Sequence, residues 1–121
     1  MPYRKIPIVT GEIYHVFNRS IARQPIFLNR KDYERIFNAL YFYSFYKPRL
    51  RFSHYNRLSN YERNAFLDDL IKNNKKQVDV IAFCFMPSHL HLLMKQIKEK
   101  GISTLMTNLQ HGYAKYFNIK N

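Results

Sequence analysis

Cysteine is almost missing from this sequence. Cys84 is the only one in 121 residues, so no internal disulfide can form, and a reducing compartment suits the chain. Cys84 lies inside an apolar run and reads as packing. Tryptophan is absent and glycine occurs three times, which argues against the glycine-bearing aromatic motif of ferredoxin-like RNA-binding modules. Acidic residues are scarce as well: eight Asp and Glu stand against twenty Lys and Arg. A simple metal-dependent phosphodiesterase would need more acidic ligands than that supply readily offers. No apolar stretch reaches the roughly 20 residues of a membrane-spanning helix. The opening Met1-Pro2-Tyr3-Arg4-Lys5 leads into no apolar signal core. A cytoplasmic location is the expectation.

What the chain does have is positive charge and rings. Its formal net charge is +12 and its pI about 10.0. A small domain tolerates such self-repulsion best when a polyanion neutralises it, which makes nucleic acid the first candidate partner. The plainer alternative is a basic, solvated surface. A membrane surface fits less well, because no basic amphipathic helix stands apart from the fold. Ten Tyr and ten Phe contribute to a 46% hydrophobic share, which excludes a disordered tail and predicts a ring-rich core. The length predicts one domain over residues 1–121.

The pattern along the chain predicts elements in a definite order. Ile13–Asn18 is aromatic and β-branched and reads as a strand, and Arg19–Gln24 as a polar turn. Pro25–Leu28 reads as a short extended piece. Asn29 is a good N-cap for a helix over about Lys31–Tyr46, which Lys47-Pro48 ends. Residues 48–77 read as an insertion: a basic, aromatic loop with Arg49, Arg51 and Arg57, then a helix announced by the capping-box pair Ser59 and Glu62. Val78–Met86 is nearly continuous in apolar residues and reads as a central strand buried on both faces. Pro87-Ser88 breaks it tightly, and a hairpin partner resumes from Leu90 to Lys95. Ile102, Leu105, Met106, Leu109, Tyr113, Tyr116 and Phe117 form one helical stripe of about 15 residues. The expected fold class is α+β: a ferredoxin-like antiparallel sheet with helices packed on one face, short of a strand after the last helix.

The segment with chemical content is Phe85-Met86-Pro87-Ser88-His89-Leu90-His91-Leu92-Leu93-Met94. On a strand, residues two apart project to one face, so His89 and His91 leave together and Leu90 and Leu92 leave oppositely. Two imidazoles on one side of a rigid strand form half of a metal site, with positions open for phosphate oxygens and water. The competing reading of a bare His-x-His pair is one packed histidine and one exposed one. The sharp turn before the pair, the apolar hairpin under it and the basic charge of the domain favour the metal.

This segment resembles the HUH motif of single-tyrosine insertion-sequence transposases, where a hydrophobic residue separates two histidines. It is most similar to the REP-associated tyrosine transposases, whose segment reads Met-Pro-Asn-His-hydrophobic-His-Leu-Leu; here Ser88 takes the Asn position. Tyr14-His15-Val16-Phe17-Asn18-Arg19 resembles the family's first strand. Ile26-Phe27 with Asp32 and Tyr33 resembles the entry to its first helix, and Ile102–Asn118 the helix after the motif.

The resemblance implies Mg²⁺ or Mn²⁺ on His89 and His91, polarising a phosphate of single-stranded or hairpin DNA. It further implies a tyrosine nucleophile that leaves a 5′-phosphotyrosine and a free 3′-OH. In the family that tyrosine and a third metal ligand lie beyond a further strand, past the helix that follows the motif. The chain stops at Asn121, so the usual nucleophile, strand and helix are expected to be missing, as in a fragment or a shortened member. Tyr113 is the substitute nucleophile to consider, although its place on the apolar stripe suits a core ring better. His15 has two readings, a residue that flanks the site and, the favoured one, a hydrogen-bonded structural histidine. Arg19, Arg23, Arg49, Arg51, Lys95 and Lys98 are the candidate DNA contacts. Family members include dimers and monomers, so a homodimer is admitted. Two alternatives stand beside the transposase: a non-cleaving DNA-hairpin-binding domain of the same fold, and a ferredoxin-like RNA-binding module.

Overall fold

The computed structural model describes residues 7–20, 24–73 and 75–120. Their elements follow the order β1 (Ile13–Arg19), α1 (Arg30–Tyr43), α2 (Phe52–Asn56), α3 (Asn60–Lys72), β2 (Val78–Met86), β3 (His89–Gln96) and α4 (Gly101–Lys120). The fold class is α+β, as the sequence predicts.

Local chemistry explains most of the boundaries. The Asn29 side chain accepts from the backbone N–H of Asp32 and starts α1. The helix ends at Tyr43 rather than Tyr46, because Phe45 and Tyr46 turn to pair with Lys76 and Lys75. Ser59 and Glu62 close a reciprocal capping box at the head of α3, satisfying two N–H groups that the helix cannot. The basic loop contains a short helix, α2, that no cap announces in the sequence; Phe52 drops into the core from it. Helix α4 is longer than its apolar stripe, at 20 residues.

The three strands form one antiparallel sheet in the order β1-β3-β2. This corrects the reading of Val78–Met86 as central and buried on both faces. The central strand is β3, while β2 is an edge strand with Ile81, Phe83 and Met86 about half exposed. Helices α1 and α4 cover a single face, so an apolar run on β2 must leave part of itself to solvent. Cys84, taken as packing in the sequence, is accordingly exposed. A bulge between Val80 and Ala82 shifts the β2–β3 register by one residue. Beyond it, Phe83 and Phe85 turn toward the helices and meet Phe37 and Phe27.

The core lies between the sheet and α1 and α4. Leu92, Met94, Ile102, Leu105 and Leu109 are fully buried, joined by Ile36 and Phe42 from α1. The start of α4 is clamped to the sheet. Gln96, itself buried, caps the helix by accepting from the Ile102 N–H. Gly101 passes so close to Gln77 that an added Cβ would lie 2.5 Å from the Gln77 carbonyl oxygen. That oxygen is fixed by accepting from Ile97 and Lys98, so it cannot yield. Gly101→Ala is therefore expected to destabilise the domain by about 2 kcal/mol, as overpacked core positions do. Urea unfolding would show this as a lower midpoint at an unchanged slope.

Candidate metal centre

Strand β3 alternates cleanly. Leu90, Leu92 and Met94 point into the core, while His89, His91, Leu93 and Lys95 emerge on the face without helices. The neighbouring strands bring their own residues to that face. Register pairs His89 with Arg19 and Met86, His91 with Phe17 and Cys84, and Leu93 with His15 and Ala82. The result is a shallow depression of about 160 Å³ beside His91, bordered by His15 and Cys84.

The two imidazoles stand side by side with ring centroids 5.3 Å apart and planes nearly perpendicular. Phe17 packs against both, closer to His91 at 4.7 Å. His15 lies beside His91 with its ring only 11° from parallel, and His15 Nε2 is 3.0 Å from His91 Nδ1. Ser88 Oγ is 3.5 Å from His89 Nδ1, a much weaker contact. In both histidines, then, the neighbour engages Nδ1 and Nε2 has no hydrogen-bond partner among the described residues. His91 is held below the ordinary histidine pKa by partial desolvation of its ring, then by the neighbouring His15, His89 and Arg19, each of which disfavours a second charge beside it. That keeps its ring neutral and able to donate a lone pair.

This donor set supplies two ligands of a coordination shell. Two ring nitrogens on a rigid strand leave the remaining positions to phosphate oxygens and water. Of the two expected ions they suit Mn²⁺ better than Mg²⁺, which prefers an all-oxygen shell. Among the described residues no group of three or more His, Cys, Asp or Glu converges to complete a site.

The turn that launches the pair is anchored from elsewhere in the chain. The Pro87 carbonyl accepts from the Ile26 and Phe27 N–H groups, and the Ser88 carbonyl from the Ser20 N–H. The Ile26 carbonyl in turn accepts from the Tyr113 hydroxyl at 2.5 Å. Phe27 is buried among Tyr33, Phe85 and Tyr113. The segment read as a short extended piece thus forms no strand of its own and serves as a brace.

The other residues singled out in the sequence divide into three groups. Arg19 and Lys95 share the open face with the histidines, and the Arg19 guanidinium lies over the Phe17 ring. Arg49, Arg51 and Lys98 are elsewhere: the first two flank the start of α2, and the Lys98 ammonium lies over Tyr46. Arg23 lies outside the described residues. Tyr113 sits on the opposite side of the sheet, buried, with its hydroxyl donating to Ile26. Burial, then the charge of Asp32 and the nearby Tyr116 and Tyr33, raise its pKa far above the ordinary phenol value. Sequence reasoning passed over Phe17, Cys84 and Met86 as neighbours of the pair. The alternation within Ile13–Arg19 marks Phe17, but cross-strand partners on β2 depend on a bulge that leaves no sequence signal.

Comparison with known proteins gives one match. A family model described as "Transposase IS200 like" covers residues 52–121, more than half of the chain. The match takes in β2, the histidine strand and α4. No curated protein and no solved structure matches the chain.

Proposed function

Since the chain belongs to the IS200-like transposase family, we propose that it acts on single-stranded DNA at the open face of its sheet, with His89 and His91 as ligands of a divalent ion. One observation carries this reading: two imidazoles leave one side of the central strand with both Nε2 atoms unpartnered among the described residues. When bound, the ion supplies Lewis-acid polarisation of a phosphate. The chain's own residues do the rest. β3 fixes the direction of the two nitrogens, Arg19 and Lys95 offer positive charge to the DNA backbone on either side of them, and Phe17 supplies an apolar wall. The bond change proposed for the family chemistry is attack by a tyrosine hydroxyl on that phosphate. The phenolic oxygen gains the 5′-phosphate, the phenol loses its proton, and the displaced oxygen leaves as the 3′-OH.

A second reading is favoured by the position of the tyrosines. Tyr113 is locked in the core and Tyr116 donates to Asp32. Among the described residues, no tyrosine ring packs on His89 or His91. On this reading the domain binds DNA without cutting it.

One experiment separates the two. The chain is mixed with end-labelled single-stranded hairpin DNA and Mn²⁺, then run on a denaturing gel. No covalent adduct is expected from this chain, which favours the binding reading; an adduct that is lost in Tyr113→Phe would restore cleavage and overturn the assignment of Tyr113 to the core alone. In a native gel, binding that neutralises about four phosphates should weaken roughly 50-fold when salt rises about fourfold. A flat salt response would remove DNA as the partner.

A further inference from the structure

We propose that His15 is the positioning residue that makes His91 a metal ligand: its Nε2 accepts the hydrogen bond from His91 Nδ1–H, which leaves the His91 lone pair on Nε2. This rests on the reading of His89 and His91 as ligands of a divalent ion.

A neutral imidazole carries one proton, so one nitrogen donates and the other coordinates. His91 Nδ1 is engaged at 3.0 Å by His15 Nε2 and is closed to an ion. Coordination must then use Nε2, and that requires the His91 proton on Nδ1. The acceptor has to be a His15 ring with its own proton on Nδ1. If instead His15 donated to His91, the His91 proton would sit on Nε2 and neither His91 nitrogen could hold an ion. Only one arrangement of the two protons satisfies both the contact and the chemistry.

The architecture holds His15 in that role. It lies on β1 directly across from Leu93, diagonal to His91, and its neighbours Tyr14 and Val16 pack against the core cluster. The near-parallel rings meet edge to edge through this hydrogen bond, the one side-chain hydrogen bond that His15 makes among the described residues. The pair is unequal to its sister. The Ser88 contact to His89 is 3.5 Å, so His89 depends on its neighbour far less. Groups that take the second ring proton of a metal-bound histidine fix its tautomer and raise its basicity.

The test uses the full chain and Mn²⁺ alone as the probe. Free Mn²⁺ is followed by electron paramagnetic resonance for the wild type, His15→Phe and His15→Gln. Phenylalanine keeps a flat ring on the strand but cannot accept a proton; glutamine offers its Oε1 as a replacement acceptor. His15→Phe should weaken Mn²⁺ binding by about 10- to 100-fold, as loss of a ligand's supporting hydrogen bond does, while the thermal midpoint holds. His15→Gln should recover most of the loss. A ring-nitrogen NMR spectrum of the metal-free protein should show His91 protonated on Nδ1 in the wild type and a tautomer mixture in His15→Phe. Equal Mn²⁺ affinity in wild type and a folded His15→Phe, or a His91 proton on Nε2 in the wild type, would overturn this proposal alone. A wild type that binds no Mn²⁺ would overturn the metal reading itself, and this proposal with it.

Discussion

Replacing His91 with alanine is expected to weaken Mn²⁺ binding by at least about 100-fold, more than the loss of a supporting contact would, because it removes half of the nitrogen donors outright. His89→Ala should do the same. Both side chains stand on the uncovered face, and the strand beneath is held by Leu90 and Leu92. Stability should therefore change by no more than about 0.5 kcal/mol, the range of surface substitutions outside any packed feature. His54→Ala and His111→Ala, at exposed positions in the loop helix and on α4, should leave Mn²⁺ affinity untouched. Calorimetric titration beside thermal unfolding measures both halves of this expectation. Retention of wild-type affinity in His91→Ala would mean that the ion, if bound at all, sits elsewhere.

Asp32→Ala should produce the opposite signature, a loss of stability of about 3 kcal/mol, since at least two hydrogen bonds to a buried carboxylate disappear and its place in the core empties. Asp32 is fully buried in the first turn of α1. Its carboxylate accepts from the Leu28 N–H at 2.8 Å and from the Tyr116 hydroxyl at 2.9 Å. It thus ties the brace before α1 to the last helix. For a domain of this size the loss corresponds to a midpoint lower by roughly 15 °C. Tyr116→Phe removes one of those donors while the carboxylate keeps its bond from the Leu28 N–H, and should cost only about 1 kcal/mol. A calorimetric scan in which Asp32→Ala melts within a few degrees of wild type would show that the carboxylate is not the tie described.

What the sequence displays, and what it conceals, follows the range of the interactions. Asn29 with Asp32, and Ser59 with Glu62, act within one helical turn, so both helix starts are readable in the letters. Pro87-Ser88 between two apolar runs is a local signal too, and the hairpin forms there. The histidine pair needs only the period of a strand, and His89 and His91 do share a face. The order of the strands is another matter. Val78–Met86 is the most apolar run in the chain, and hydrophobicity alone assigns it to the middle; yet β3 takes that place because β1 pairs with it across 70 or more residues of sequence. The bulge at Ile81 decides which β2 side chains join the histidines, and nothing in the letters marks it. His15 is visible as a histidine on a strand, but its contact with His91 is a product of that same long-range pairing. Basic residues are the least legible. Arg19 and Lys95 reach the open face while Arg49, Arg51 and Lys98 do not, a division set by topology rather than by charge.

The alternation of β3 has a consequence for how this surface could change over generations or at an engineer's bench. Each imidazole shares its backbone with a residue of the oily interior, so the pair cannot be re-aimed without disturbing Leu90 or Leu92. Cys84 and Met86, directly across from the two histidines, are exposed, so their side chains can be exchanged without loss of core packing. New donors introduced there would alter which ion is preferred while the foundations stay in place. Selectivity and folding are, on this sheet, separately adjustable.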